Sequence, residues 1–128
     1  MRAIVTSILA LAVLCGMVHA AESGAAKGKV RHVVLFKFKD TAKPEDVKKV
    51  EAAFRALPSK IPQIESFEWG TNMSPEKLDQ GFTHCFLLSF KTAADRDAYL
   101  PHPEHKAFGK ILRPYLDKVL VIDFVGNE

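Results

Sequence analysis

Residues 82 to 90 read FTHCFLLSF, and their alternation constrains the fold of this chain more than any other stretch. One side of the run carries Phe82, His84, Phe86, Leu88 and Phe90, and the other carries Thr83, Cys85, Leu87 and Ser89. A period of two is that of a β-strand, in which successive side chains point to opposite faces of a sheet. A side so rich in aromatic residues cannot stay open to water, so the sequence predicts a sheet with a covered aromatic face.

Three further segments predict strands. They are Val30–Phe38, Ile64–Trp69 and Val119–Val125. Between the first two, Asp40-Thr41 predicts the cap of an amphipathic helix that Pro58 and Pro62 end. The apolar side of this helix repeats at spacings of three and four, at Val47, Val50, Phe54 and Leu57.

The second helical region is predicted in two parts, because Pro101 interrupts it. Thr92 and Asp95 indicate the start of the first part. Pro103 opens the second part and Pro114 ends it. Its buried stripe is predicted to be Phe108, Ile111 and Leu112.

The elements follow one another in the order β-α-β-β-α-β, which predicts an α+β, ferredoxin-like protomer. Such a protomer has helices on one face of its sheet only. We expect Phe82, Phe86 and Phe90 on the other face, covered by a second copy of the chain. The sequence therefore predicts a homodimer whose two sheets form an α+β barrel.

The first twenty residues predict a secretory signal peptide (residues 1–20). Arg2 is followed by an apolar run from residue 3 to residue 18 and by a short segment that ends at Ala20. The run is shorter than the roughly 20 residues of a membrane span, so no membrane attachment is expected after cleavage. A lipoprotein signal at Cys15 is the alternative, although Leu14 fits it poorly. The expected location is secreted or periplasmic.

Composition excludes some classes of partner. A small, Gly-rich arm (residues 21–29) is predicted to precede a single folded domain (residues 30–125). The chain has a net charge of only +3 at pH 7, which gives no reason to expect nucleic acid. After cleavage only Cys85 remains, so no internal disulfide is expected and the domain must depend on its core.

Four segments resemble landmarks of the stress-responsive dimeric α/β-barrel (Dabb) family, and they occur in the family's order. They are HVVLFKFK at 32–39, WG at 69–70, GFTH at 81–84 and YLPHPEH at 99–105. The last resembles the family signature Tyr-x-x-His-Pro-x-His. The resemblance extends over essentially the whole predicted domain.

The resemblance implies a dimeric barrel and, in one plant polyketide cyclase of the family, ring closure without a cofactor. The catalytic tyrosine and histidine of that cyclase are matched here by Tyr99 and His105. Two further histidines of its pocket are matched by His32 and His84. Its first helix places a tyrosine where this chain has Phe54, which removes a polar contact from the implied pocket.

The same residues predict acid–base chemistry. An imidazole exchanges a proton near neutral pH, so His105 is the candidate base and Tyr99 the candidate donor to an enolate oxygen. His32 and His84 would position the substrate. The aromatic stripe is interpreted mainly as dimer core, with Phe86 as a possible pocket-lining residue.

Structural roles stay open for most of these side chains. His84 can be a core histidine bonded to backbone, and His102-Pro103 can be a helix cap. His105 can bond across the dimer, and Tyr99 can be a core tyrosine. A metal site from His102, Glu104 and His105 together with the two distant histidines is an alternative, but the spacing is loose and Pro103 disturbs the helix, so no metal and no cofactor are expected.

Three functions therefore remain. The preferred one is a binding module, a homodimer that holds a small apolar or aromatic molecule in its pocket. The second is a cofactor-free cyclase-like or lyase-like enzyme that uses Tyr99 and His105. The third is a structural protein that is stable under stress and has no ligand.

Overall fold

The computed structural model describes residues 28–127. The predicted signal peptide (1–20) and the first part of the predicted arm (21–27) lie outside these residues. The strands are β1 (Val30–Phe38), β2 (Ser66–Thr71), β3 (His84–Phe90) and β4 (Leu116–Val125). The helices are α1 (Pro44–Arg55), α2 (Leu57–Lys60), α3 (Ala93–Tyr99) and α4 (Pro103–Leu112).

The four strands form one antiparallel sheet in the order β2-β3-β1-β4. Val34 in β1 lies opposite Phe86 in β3 and Val121 in β4, which fixes the register of the three strands. This order with helices between the strand pairs is the ferredoxin-like arrangement, so the predicted fold class is confirmed. None of the helices between residues 28 and 127 is long and apolar enough to cross a membrane.

The helices cover the aromatic side of β3. The ring of Phe54 on α1 lies 4.3 Å from that of Phe86 and 4.5 Å from that of Phe108 on α4. Phe86 and Phe90 are both fully buried in this core. The prediction that these two residues form the uncovered face is therefore wrong. The aromatic side chains of the helices bury the most apolar surface when they pack against the more aromatic side of the sheet. The less aromatic side of the sheet is therefore left facing outward.

The opposite side of the sheet is uncovered and apolar. The strand register places there Val33, Leu35, Leu87, Leu120, Ile122 and Phe124. We call these six residues the open face. Ile122 is 51% exposed and Phe124 is 49% exposed. Because β4 is also an edge strand, this side offers both apolar area and unpaired backbone groups to a partner.

Several element boundaries differ from the predicted ones. Lys43 is the N-cap of α1, and its backbone N–H donates to the Asp46 carboxylate at 3.2 Å. The predicted cap at Asp40-Thr41 is wrong, because Asp46 satisfies the helix start from within the first turn. Of the two prolines predicted to end the helical region, Pro58 is accepted in the first turn of α2, and the region ends at Lys60, shortly before Pro62.

Candidate functional site

A cavity of about 180 Å³ lies between the sheet and the helices α1, α3 and α4. Three of its lining side chains are polar: His32, Tyr99 and His105. The rest of the wall is almost entirely apolar and includes Phe54 and Phe108. The structure therefore brings together four of the predicted site residues in one apolar enclosure.

Tyr99 is the last residue of α3, and its side chain is fully buried. Its hydroxyl oxygen has no hydrogen-bond partner among residues 28–127. Burial raises the pKa of this phenol above the ordinary value of 10, so the hydroxyl keeps its proton. A buried polar group without a partner costs about 1–3 kcal/mol, and such a group in a cavity wall marks a place for a ligand or water.

His105 lies in the first turn of α4, beside Tyr99. Its Nδ1 lies 2.9 Å from the carbonyl oxygen of Leu100, and because a carbonyl only accepts, Nδ1 carries the proton. Nε2 is then an unprotonated acceptor. Burial, more than any other cause, lowers the pKa of His105, so the ring is neutral at physiological pH. The two rings lie with their centroids 4.2 Å apart and their planes tilted by 30°.

His32 projects from β1 into the same cavity and is buried. Its Nδ1 lies 2.6 Å from Oδ1 of Asp123 in β4, and its ring meets that of Tyr99 edge-on at 5.7 Å. The other oxygen of Asp123 accepts from Arg96 in α3. Asp123 and Arg96 were not predicted from the sequence. One signal was present, because Asp123 is the only charged residue in the apolar run 119–125.

His84 does not line this cavity. Its Nε2 lies 2.9 Å from Oε1 of Glu51, and its Nδ1 lies 2.8 Å from the hydroxyl oxygen of Thr83. The indole of Trp69 stacks on its ring at 6.2 Å. Both ring nitrogens thus have partners, and the contact through Nε2 joins α1 to β3. Phe86 is also absent from the cavity wall, because it lies deeper in the core.

The two histidines of the signature motif, His102 and His105, have different positions, and only His105 lines the cavity. His102 is the N-cap of α4, and its Nδ1 accepts from the backbone N–H of Glu104 at 3.1 Å. This leaves His102 outside the cavity wall. Within residues 28–127, no three histidine, cysteine or acidic side chains converge in a way that could hold a metal ion.

A larger depression of about 410 Å³ lies on the other side of the sheet. It is bounded by Leu35, Cys85 and Leu120 and by the loop that contains Leu78 and Phe82. The only buried polar side chain that it touches is His84, whose two ring nitrogens are already bonded. Of the two, the smaller cavity is the one lined by a residue whose buried hydroxyl, that of Tyr99, has no partner among residues 28–127.

An antiparallel sheet with helices on one face, an open apolar face on the other and a cavity beneath the helices defines a ferredoxin-like α+β domain. The chain belongs to the Stress responsive A/B Barrel Domain (Dabb) family, whose model matches residues 30–126. The family prediction made from the four sequence segments is confirmed.

Three similar proteins illustrate the family. The Arabidopsis thaliana stress-response A/B barrel domain-containing protein HS1 is 40% identical over 99 residues, which cover 77% of this chain and 91% of that protein. Olivetolic acid cyclase of Cannabis sativa is 26% identical over 99 residues, covering 77% and 98%. A dimeric ferredoxin-like protein of unknown function from Bacteroides fragilis is 34% identical with a TM-score of 0.64, covering 77% and 97%.

Proposed function

We propose that this chain is an exported homodimer that binds a small, uncharged aromatic molecule in the Tyr99–His105 cavity. The observation that carries the proposal is the buried Tyr99 hydroxyl, which has no partner among residues 28–127 and lies in an apolar wall. A ligand oxygen placed there would accept a hydrogen bond and remove the cost of the unpaired group. A hydroxyl or carbonyl oxygen on the ligand meets this requirement.

The size of the cavity limits the ligand. An apolar cavity of about 150 Å³ is known to accept benzene, so about 180 Å³ accommodates one ring with a small substituent. The apolar wall favours an aromatic ring, and the bare Nε2 of His105 accepts from a ligand hydroxyl. Phenol satisfies each of these conditions and is a suitable probe.

A nuclear magnetic resonance titration of the protein with phenol tests the proposal. We expect saturable shifts at residues that line the cavity, and roughly tenfold weaker binding by Tyr99→Phe, which loses one hydrogen bond of about 1.4 kcal/mol. Tyr115→Phe is the matched control, since Tyr115 lies beside Asp46 and outside the cavity. No saturable binding of phenol or of other single-ring compounds would favour a structural protein without a ligand.

Acid–base catalysis is the second candidate, and the neutral imidazole of His105 beside a protonated phenol favours it. Nε2 of His105 would take a proton from the carbon next to a carbonyl group. The electrons of that C–H bond would form a carbon–carbon double bond, the π electrons of the carbonyl group would move to its oxygen, and Tyr99 would donate a hydrogen bond to the resulting enolate oxygen. The likeness to a cyclase supports this candidate.

Hydrogen–deuterium exchange of acetophenone in D₂O separates catalysis from binding. An enzyme of this kind exchanges the methyl protons faster than buffer does, and His105→Gln removes the acceleration. Exchange at the buffer rate by a protein that still binds phenol would contradict catalysis and support the binding function.

The homodimer is supported by the apolar open face and by the dimeric relative from Bacteroides fragilis. Export is supported by the signal-peptide pattern in residues 1–20. Sequencing the N-terminus of protein recovered from the periplasm or the medium tests export, and we expect it to begin at Ala21. An intact Met1 on folded protein would contradict export by signal cleavage.

A further inference from the structure

One position in the cavity wall has no side chain. Gly109 lies inside α4 and lines the cavity together with three other residues of that helix, His105, Phe108 and Leu112. The spacing of these four residues is that of one face of a helix, so a side chain at position 109 would lie on the cavity side of α4. The glycine therefore leaves space in the wall that a larger residue would take up.

The fold itself does not require a glycine at this position. The φ angle of Gly109 lies outside the left-handed region that favours glycine. Beyond its own helix backbone and chain neighbours, a β-carbon added there would meet only Nη2 of Arg113, at 4.0 Å, which is an ordinary contact. A glycine inside a helix lowers the folding equilibrium constant roughly two- to fivefold relative to alanine. The chain thus keeps a destabilising residue at a place where alanine would fit.

We propose that Gly109 is a specificity-determining residue, whose missing side chain makes room in the cavity for a substituent on the aromatic ring of the ligand. The inference rests on the proposed function, because it requires a ligand beside Tyr99 and His105. It narrows the chemical class of that ligand to a phenol that carries one small alkyl group.

The size of the cavity makes a single methyl group important. The cavity volume of about 180 Å³ exceeds the roughly 150 Å³ that hold benzene by room for a small group only. A methyl group at position 109 would take up part of this difference. The remaining cavity would still accept an unsubstituted ring, but it would accept the same ring with an alkyl group less well.

The space that an alanine would remove lies beside His105. His105 precedes Gly109 by about one helical turn, and the Cα–Cβ bonds of a helix tilt towards its N-terminus. An alanine methyl group at position 109 would therefore lie on the His105 side of the cavity wall. Since the proposed function places the ligand hydroxyl at Nε2 of His105, the methyl group would compete with the ligand for space.

Nuclear magnetic resonance titrations of Gly109→Ala with phenol and with the three methylphenols test the proposal. For the methylphenol isomer that the wild type binds most tightly, we expect the affinity relative to phenol to fall roughly tenfold, the usual effect of one carbon in a filled apolar pocket. Gly70→Ala should keep the wild-type ratio; it is the matched control, because Gly70 also has room for a β-carbon but lies in β2, outside the cavity. Urea unfolding without ligand should show a folding equilibrium constant roughly two- to fivefold higher for Gly109→Ala than for the wild type.

Three results overturn the inference and leave the proposed function in place. The first is an equal change, or no change, in the affinities of Gly109→Ala for phenol and for that methylphenol. The second is a wild type that binds phenol but no methylphenol. The third is a Gly109→Ala protein that is less stable than the wild type or does not fold, which would show that packing within the protein requires the glycine. If the wild type binds none of these compounds, the proposed function fails and the inference fails with it.

Discussion

At the scale of single residues, the site is defined by polar atoms that the fold leaves unpaired. The Tyr99 hydroxyl has no hydrogen-bond partner among the described residues. Nε2 of His105 carries no proton, because Nδ1 carries it and donates to the Leu100 carbonyl. Both residues line a cavity whose wall is otherwise almost entirely apolar. Unpaired buried groups reduce stability, so this arrangement is expected where function requires it.

Tyr99→Phe is therefore expected to stabilise the ligand-free protein. Removing the unpaired hydroxyl should raise the free energy of unfolding by about 1 kcal/mol, which is about 4–8 °C in Tm for a domain of this size. Urea unfolding of both proteins without ligand measures the change. A variant that is instead less stable by about 1 kcal/mol would mean that the hydroxyl makes a structural hydrogen bond.

His105 is expected to make stability depend on pH in a defined direction. Burial lowers its pKa below the ordinary 6.5, so between these two pKa values the unfolded chain binds more protons than the folded one. Stability should therefore fall as pH is lowered from about 6.5 through the folded-state pKa, where the loss from this group is complete. His105→Gln should flatten this part of the unfolding free energy against pH; an identical slope in both proteins would contradict the assignment.

At the scale of elements, the positions of the histidines follow from which strand or helix carries them. The motif residues Tyr99 and His105 were predicted together, because they are close in sequence and flank the break between α3 and α4. His32 was also predicted as a site residue and lines the same cavity, but its partner Asp123 is 91 residues away, and only the register of β1 against β4 reveals it. His84 lies on the same, helix-facing side of the sheet, but its Nε2 contacts Glu51 of α1 and it does not line the cavity.

The contact between Glu51 and His84 should contribute to the stability of the fold by joining α1 to β3. A double-mutant cycle with Glu51→Gln and His84→Asn is expected to give a coupling energy of about 1–2 kcal/mol. Glu45→Gln on the exposed side of α1 is the control and should be additive with His84→Asn. Additivity of both pairs would show that the contact does not hold the two elements together.

Sequence periodicity does not predict which side of the sheet becomes the open face. Alternation in 82–90 separated the two sides of β3 correctly, but it does not tell which side the helices cover. That choice depends on packing between Phe54, Phe86 and Phe108, residues that are distant in sequence. Helix boundaries were missed for a similar reason, because Asp46 caps α1 from inside the helix.

At the scale of the whole molecule, the fold has a buried core on one side of the sheet and an apolar surface on the other. The core can form within one copy, since the helices supply the aromatic rings that cover β1 and β3. The open face has no such cover from residues 28–127. The cavity lies on the helix side, so each copy of a homodimer would keep its own site.

Ile122→Lys is expected to separate the homodimer into single chains. The side chain lies on the open face and is half exposed in one copy, so a lysine there would place a charge in a sheet-to-sheet interface. Light scattering should give twice the chain mass for the wild type and one chain mass for the variant. Ala52→Lys, on the exposed side of α1, should remain dimeric; a wild type of single-chain mass would contradict the barrel.

A crystal structure of the protein grown with phenol tests the central claim most directly, which is that the Tyr99–His105 cavity is a ligand site. We predict a ring-shaped density in the cavity, with the phenol oxygen within hydrogen-bond distance of the Tyr99 hydroxyl and of Nε2 of His105. An empty or collapsed cavity, with the Tyr99 hydroxyl bonded to a protein group, would contradict the claim and favour a protein whose role is structural.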